Sequence, residues 1–251
     1  MGPSALQYRA IGRDLAESVR QRFSRLQSGQ KPRRGVPAYT LFVNRPMGRL
    51  IAAATPHWLS ANGMTILAAV LSYGALGALW FLREPRAGWT LVGVVLLLAY
   101  VLDSADGQLS RLRGTSSPAG EWLDHVLDGG RIVLLHAGAA RVLFEGTHQA
   151  GVTAIAAAFG TSAALIYVGG ILFDKLAISG ASTGAFSLWR SMLMLPVDYG
   201  VLCAIFLLLP LSTVFVVAYS VLALANILFC GAFLVTWFRR LNASITSQTP
   251  S

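Results

Sequence analysis

Long apolar runs alternate with short polar breaks along most of this chain, and the run lengths set the architecture. The first run covers roughly Met64 to Leu82 and ends in Arg-Glu-Pro-Arg-Ala-Gly. A second starts near Trp89. A third ends near Phe144, just before Glu-Gly-Thr-His-Gln-Ala-Gly. A fourth covers roughly Val152 to Phe173, and a longer polar connection, Asp174 to Ser191, follows it. The fifth runs from about Met192 to Leu209, where Pro210-Leu211-Ser212 turns the chain, and the sixth from about Val214 to Phe238. A helix needs about 20 apolar residues to cross a bilayer core. The pattern predicts an all-α integral membrane protein with six transmembrane helices in residues 51–240.

Ahead of the runs, residues 1–50 are polar and rich in arginine. Ile11, Leu15, Val19, Phe23 and Leu26 recur there at helical spacing, which predicts an amphipathic helix lying on the membrane face or packed on the domain. Ser-Gly-Gln-Lys-Pro-Arg-Arg-Gly reads as a flexible break. A second short amphipathic piece, Asn44 to Ala54, leads to a turn and helix-start signal containing Pro56, Ser60 and Asn62. Residues 241–251 form a polar tail.

Composition agrees with the pattern. The chain is 55% hydrophobic and only 12% charged, with net charge +9, whereas soluble domains are about one quarter charged. Such a basic balance fits the positive-inside rule and contact with anionic lipid better than nucleic acid. Six spans put both termini on one side. That side carries the basic N-terminal segment, Arg111, Arg113, Lys175, Arg190, Arg239 and Arg240; the other carries Arg83, Arg86 and Arg141. The asymmetry predicts cytoplasmic termini in a cell membrane. Cys203 and Cys230 lie within apolar runs and read as buried thiols. No cleavable signal peptide is expected from the polar start. Abundant arginine and alanine with few lysines fit a bacterial, GC-rich source.

One stretch breaks the apolar theme. Val101 to Arg131 holds five acidic side chains, Asp103, Asp106, Glu121, Asp124 and Asp128, of eleven in the chain. The second and third apolar runs are also short for a bilayer: about fourteen residues from Trp89 to Leu102 and about thirteen from Ile132 to Phe144, against about 20 needed. Those helices cross only if their charged ends sit at inner-leaflet depth, where carboxylates are costly and mark function. Asp103 and Asp106 are spaced i, i+3, and Asp124 and Asp128 i, i+4, so each pair shares a helix face. With a turn between Gly114 and Pro118, Asp106 and Asp124 lie about 12 and about 9 Å from it, and Asp103 and Asp128 about 16 and about 15 Å. The four acids then face each other in two layers. A hard divalent cation, or two, relieves their repulsion, and a two-cation site suits displacement at phosphorus. Gly107 and Gly120 leave room beside the acids. Arg111 and Arg113 are placed to meet phosphate oxygens.

A structural reading stands beside this one. Asp103 with Arg131 fits a buried ion pair, and Arg111 and Arg113 fit ordinary positive-inside charges. Glu121 lies off the face of Asp124 and Asp128 and reads as a helix-start charge; His125 also points away. The spacing of four acids on adjoining short spans is what the structural reading leaves unexplained.

These residues resemble the signature of the CDP-alcohol phosphatidyltransferase family: Asp, two residues, Asp-Gly, two residues, Ala-Arg, eight residues, Gly, three residues, Asp, three residues, Asp. Here it reads Asp103, Asp106-Gly107, Ser110-Arg111, Gly120, Asp124, Asp128, with serine in place of alanine. The resemblance implies six membrane helices behind an interfacial helix, a homodimer, and Mg²⁺ or Mn²⁺. It implies transfer of a substituted phosphate from a CDP-alcohol, such as CDP-diacylglycerol or a CDP-polyol, to an acceptor hydroxyl, with release of CMP in phospholipid or polyol-phosphate biosynthesis. It makes Asp103, Asp106 and Asp124 metal ligands, Asp128 a ligand and general base, and Gly107, Ser110, Arg111 and Gly120 nucleotide-site residues. The family's upstream Pro-Asn, with Thr or Ser three residues after the Asn, is matched at Pro56 and Ser60, with His57 in place of Asn. Val-Asn-Arg-Pro, Val43 to Pro46, resembles the branch that contains di-myo-inositol phosphate phosphate synthases. In such members basic residues on later helices bind the acceptor, a role open to Lys175 and Arg190. The rival of a different class is a cation or proton transporter with an aspartate relay. It predicts polar residues at mid-membrane depth in several spans, and the fourth to sixth spans offer few.

Overall fold

The computed structural model describes residues 18–81, 86–177 and 186–246, and every regular element among them is helical. The start of the N-terminal amphipathic stretch, the first half of the first polar loop with Arg83, the middle of the Asp174 to Ser191 connection and the end of the C-terminal tail lie outside the described residues. Residues 18–28 form α1. A short π-helical turn, Thr40–Asn44, runs into α2, Arg45–Ala54. The core helices are α3 (Ala61–Ala78), α4 (Arg86–Arg113), α5 (Pro118–Thr147), α6 (Ala150–Leu176) and α9 (Ser212–Thr246). Between α6 and α9 lie two short helices, α7 (Leu188–Leu193) and α8 (Tyr199–Ile205).

Four helices among the described residues are long and apolar enough to cross a membrane: α3, α4, α6 and α9. The 30-residue α5 spans about 45 Å, also enough to cross, but its first half carries the acids and Arg131. The fifth apolar run departs from the pattern's expectation of one continuous helix. It is broken into α7, a 3-10 turn at Leu195–Val197, α8 and a second 3-10 turn at Phe206–Leu208. Pro196 has no N–H to continue a helix. Asp198 then caps a new start, accepting from Gly200 N at 2.9 Å.

Packing follows a simple order. Helix α3 lies against both α4 and α5, α5 against α6, α6 against α9, and α2 against α4. The largest core cluster joins Leu76 of α3 and Leu79 at its C-cap, Leu96 of α4, Leu135 of α5, Phe159 of α6, and Phe215 and Tyr219 of α9. Water does not drive helices together inside a bilayer, so close packing and interhelical hydrogen bonds carry association. Two such bonds are buried here: His136 Nδ1 with Tyr219 Oη at 2.6 Å, and Ser162 Oγ to Asn226 Oδ1 at 2.8 Å. On the other flank, Leu26 and Phe23 of α1 pack with Ala52 and Ala53 of α2 and Ala105 and Leu109 of α4. Gly48 makes the α2–α4 approach possible, since a Cβ there would lie 2.8 Å from Ser104 Oγ. The N-terminal elements thus pack on the acid-bearing end of α4.

Candidate active site at the α4–α5 cleft

The turn between α4 and α5 sits where the sequence places it. Gly114 ends α4 with φ of 65°, a left-handed conformation that favours glycine, and Thr115 N donates back to Ser110 O at 2.9 Å. Ser117 then caps α5, its hydroxyl accepting from Gly120 N at 3.1 Å, with Pro118 in the first turn. Although α4 and α5 are neighbours in sequence, their backbones scarcely touch, and α3 bridges them. The space between them is a cavity of about 430 Å³, within the range of small-molecule sites.

Asp106, Gly107, Ser110 and Arg111 of α4 line this cavity, with Gly120, Glu121 and Asp124 of α5, Asn62 and Thr65 of α3, and Lys31. Asp103, Asp106 and Asp124 each offer a carboxylate oxygen, and the three oxygens lie within 4.8 Å of one another. Asp128 does not join that group. It pairs with Arg131, whose Nη2 donates to Asp128 Oδ1 at 3.0 Å and to Asp103 Oδ1 at 2.8 Å. Arg131 is 2% exposed and its guanidinium lies over the Tyr199 ring of α8. The ion pair of the structural reading and the acid cluster therefore coexist, with Arg131 joining α5 to α4 behind the cavity.

Two buried atoms on residues lining the cavity lack a hydrogen-bond partner, Asp106 Oδ2 and Arg111 Nε, and Arg131 Nε behind them lacks one too. Leaving any such group unmatched away from water costs about 1–3 kcal/mol or more. The charges of Asp106 and Arg111 act on each other, yet Asp106 Oδ2 still lacks a hydrogen-bond donor and Arg111 Nε an acceptor. A hard dication fits the oxygen set of Asp103, Asp106 and Asp124, and a phosphate oxygen fits Arg111.

Other candidate residues fall into distinct places. The Ser110 hydroxyl donates to Gly107 O within its own helix at 3.1 Å, so serine fits where the family has alanine. A Cβ on Gly120 would lie 3.0 Å from Asn62 Oδ1. Ser60 caps α3, accepting from Gly63 N at 3.0 Å, and the Pro56 carbonyl accepts from Arg113 Nη2 at 2.9 Å. Neither lines the cavity; Asn62 and Thr65 do. They carry the same Asn, two residues, Thr spacing one turn later, and that pattern was the signal available for finding them. Arg113 also donates to Leu59 O at 2.6 Å, so it secures the α2–α3 turn and does not face the cavity. Lys175 meets Glu121 at 2.7 Å on the exposed rim. Arg190 is exposed on α7. Val43 to Pro46 forms the junction between the π-helical turn and α2.

The family model for CDP-alcohol phosphatidyltransferases matches residues 58–240. The chain belongs to the CDP-alcohol phosphatidyltransferase family. Similar proteins include ethanolaminephosphotransferase 1 of Homo sapiens and of Pongo abelii, each 31% identical over 101 residues. The Mus musculus protein of that name is 30% identical over the same length. In each case the match covers 36% of this chain and 25% of the relative, so the similarity spans about a quarter of those proteins' length. The phosphatidyltransferase domain takes in all four aspartates, Arg111 and Arg131, and leaves α1 and α2 outside it.

Proposed function

We propose that this protein transfers a substituted phosphate from a CDP-alcohol to the hydroxyl of an acceptor alcohol and releases CMP. The observation that carries this is the cleft itself. Three carboxylates converge, one with an orphaned oxygen, and an orphaned Arg111 nitrogen lies in the same wall. A site that needs a dication and a phosphate together suits a metal-bound diphosphate. The transporter alternative gives Arg111 only a positive-inside charge and leaves its unpartnered Nε unexplained.

Asp103, Asp106 and Asp124 would hold Mg²⁺ or Mn²⁺, which supplies charge neutralisation to the diphosphate and its leaving group. Arg111 binds a phosphate oxygen. Gly107, Ser110, Gly120 and Asn62 shape the nucleotide's seat, while Pro56 and Ser60 fix the start of α3 beneath it. Asp128 takes the proton from the acceptor hydroxyl as the new O–P bond forms; the P–O bond to CMP breaks with its electron pair leaving on CMP. Arg131 orients Asp128 through their ion pair. Lys175 and Arg190 attract an anionic acceptor from the open side.

The same reading has six crossings, with α5 and the α7–α8 segment as the third and fifth. It has both termini and the cleft on the cytoplasmic side, α1 at the membrane interface, and two copies as the working unit. The test is purified protein with Mn²⁺, offered CDP-diacylglycerol, CDP-ethanolamine and a CDP-polyol in turn against a panel of alcohols. Released CMP that disappears on chelation supports the reading; no CMP from any pairing sinks it.

A further inference from the structure

One cationic residue in the cavity wall comes from outside the region that defines the family. Lys31 belongs to the connection between α1 and the π-helical turn, yet it lines the cavity with Asp106, Arg111 and Asp124. The family match begins at residue 58.

Hydrogen bonds hold this connection in place as a strap. Gln30 Nε2 donates to Leu26 O at 2.6 Å and to Gln108 Oε1 at 3.2 Å. Arg45 Nη1 donates to Lys31 O at 3.1 Å and to Pro32 O at 3.2 Å. Gln108 is 2% exposed and its own amide donates to Arg45 O at 3.0 Å. Strap, α4 and α2 are thereby linked in a closed circuit beside the Asp106-Gly107 pair. These bonds use carbonyl oxygens, side-chain amides and the Arg45 guanidinium; the Lys31 ammonium makes none of them, and its charge acts on Asp124 across the cavity.

Charge is divided across the cleft. Its inner part gathers carboxylates. The strap side gathers cations: burial, then the nearby Arg111 and Arg33, push the Arg45 guanidinium below its usual value. A ligand that satisfies both sides carries a dication inward and anionic oxygens outward.

We propose that Lys31 is a donor-binding residue, its ammonium pairing with a phosphate oxygen of the CDP-alcohol at the cavity rim. This rests on the phosphotransfer reading and extends it to a segment before the family domain. The strap makes α1 and α2 part of the substrate site rather than a membrane anchor alone.

The test compares K31A, K31R and Q30A with the parent protein in two assays. Turnover gives kcat and the donor KM; calorimetric titration with CMP gives affinity without turnover. A charge-assisted contact at a partly solvated site predicts that K31A raises the donor KM and weakens CMP binding about tenfold. Its kcat and melting temperature stay near the parent's. K31R recovers most of the affinity, and Q30A, which loosens the strap, loses part of it. Equal CMP affinity and donor KM in K31A and parent overturn the proposal, as does a K31R that is no better than K31A. If the parent binds CMP, K31A weakens that binding, and no donor is ever turned over, Lys31 stands and the transfer reading falls.

Discussion

Two aspartates in this protein are almost equally buried and do opposite things. Asp198 is 2% exposed and Asp106 is 6% exposed. Asp198 Oδ1 accepts from Gly200 N at 2.9 Å and from the Thr40 hydroxyl at 3.1 Å, and its Oδ2 accepts from Thr40 N at 2.8 Å. It caps α8 and pins the π-helical turn ahead of α2, 158 residues away in sequence. Asp106 keeps one buried oxygen without a partner and faces two more carboxylates. Burial therefore does not mark a working acid. What marks it is a need that the fold leaves unmet, because a buried polar group lacking partners is costly and persists where a ligand supplies them.

That contrast is open to experiment. Asp106→Asn removes a proposed cation ligand and is expected to lower CMP release by about a thousandfold or more, while the melting temperature holds or rises as carboxylate repulsion is relieved. A destabilised D106N would collapse the distinction between the two aspartates. Asp128→Asn should reduce kcat about a hundredfold to ten-thousandfold, with cation affinity, followed by Mn²⁺ titration, close to the parent's. Full turnover in D128N would remove the base from Asp128.

Asp198→Ala is expected to do the reverse of D106N. It strands the amides of Thr40 and Gly200, and a loss of about 2–4 kcal/mol is expected from denaturant melts in detergent. Residual activity below the melting transition should stay within about tenfold of the parent's, since no orphaned oxygen is lost. Ser117→Ala deletes the cap of α5 and should cost about 1 kcal/mol, with a rise in donor KM because Ser117 also borders the cavity. The smallest effect belongs to Lys175→Ala. Its ion pair with Glu121 is largely solvated, and such pairs are worth about 0–1 kcal/mol. A shift in acceptor KM without a shift in stability would give Lys175 its acceptor role.

Much of the site was legible because its parts are local. The i, i+3 and i, i+4 spacings assign each acid pair to one face, and glycine and proline bracket the turn that brings the faces opposite each other. Asn62 and Thr65 were legible too, through the same spacing read at Pro56 and Ser60. Ser60 is used as a helix cap, and only the packed helices show which of the two sets borders the cavity. The fifth run read as one helix because its residues are apolar. Pro196 and Asp198 override that pattern, one by lacking an N–H and the other by offering a better cap.

The sequence by itself determined the helical class, the acid spacing and the turn at Gly114, since helical periodicity and backbone preference act within a few residues. Only the tertiary structure decided that Arg131 reaches across to Asp103 of α4 while one oxygen of Asp106 is left without a hydrogen bond, that Asp198 is fully bonded, and that Lys31 reaches the cleft. Those outcomes depend on which side chains from distant elements arrive at the same place, and no local rule of spacing encodes that.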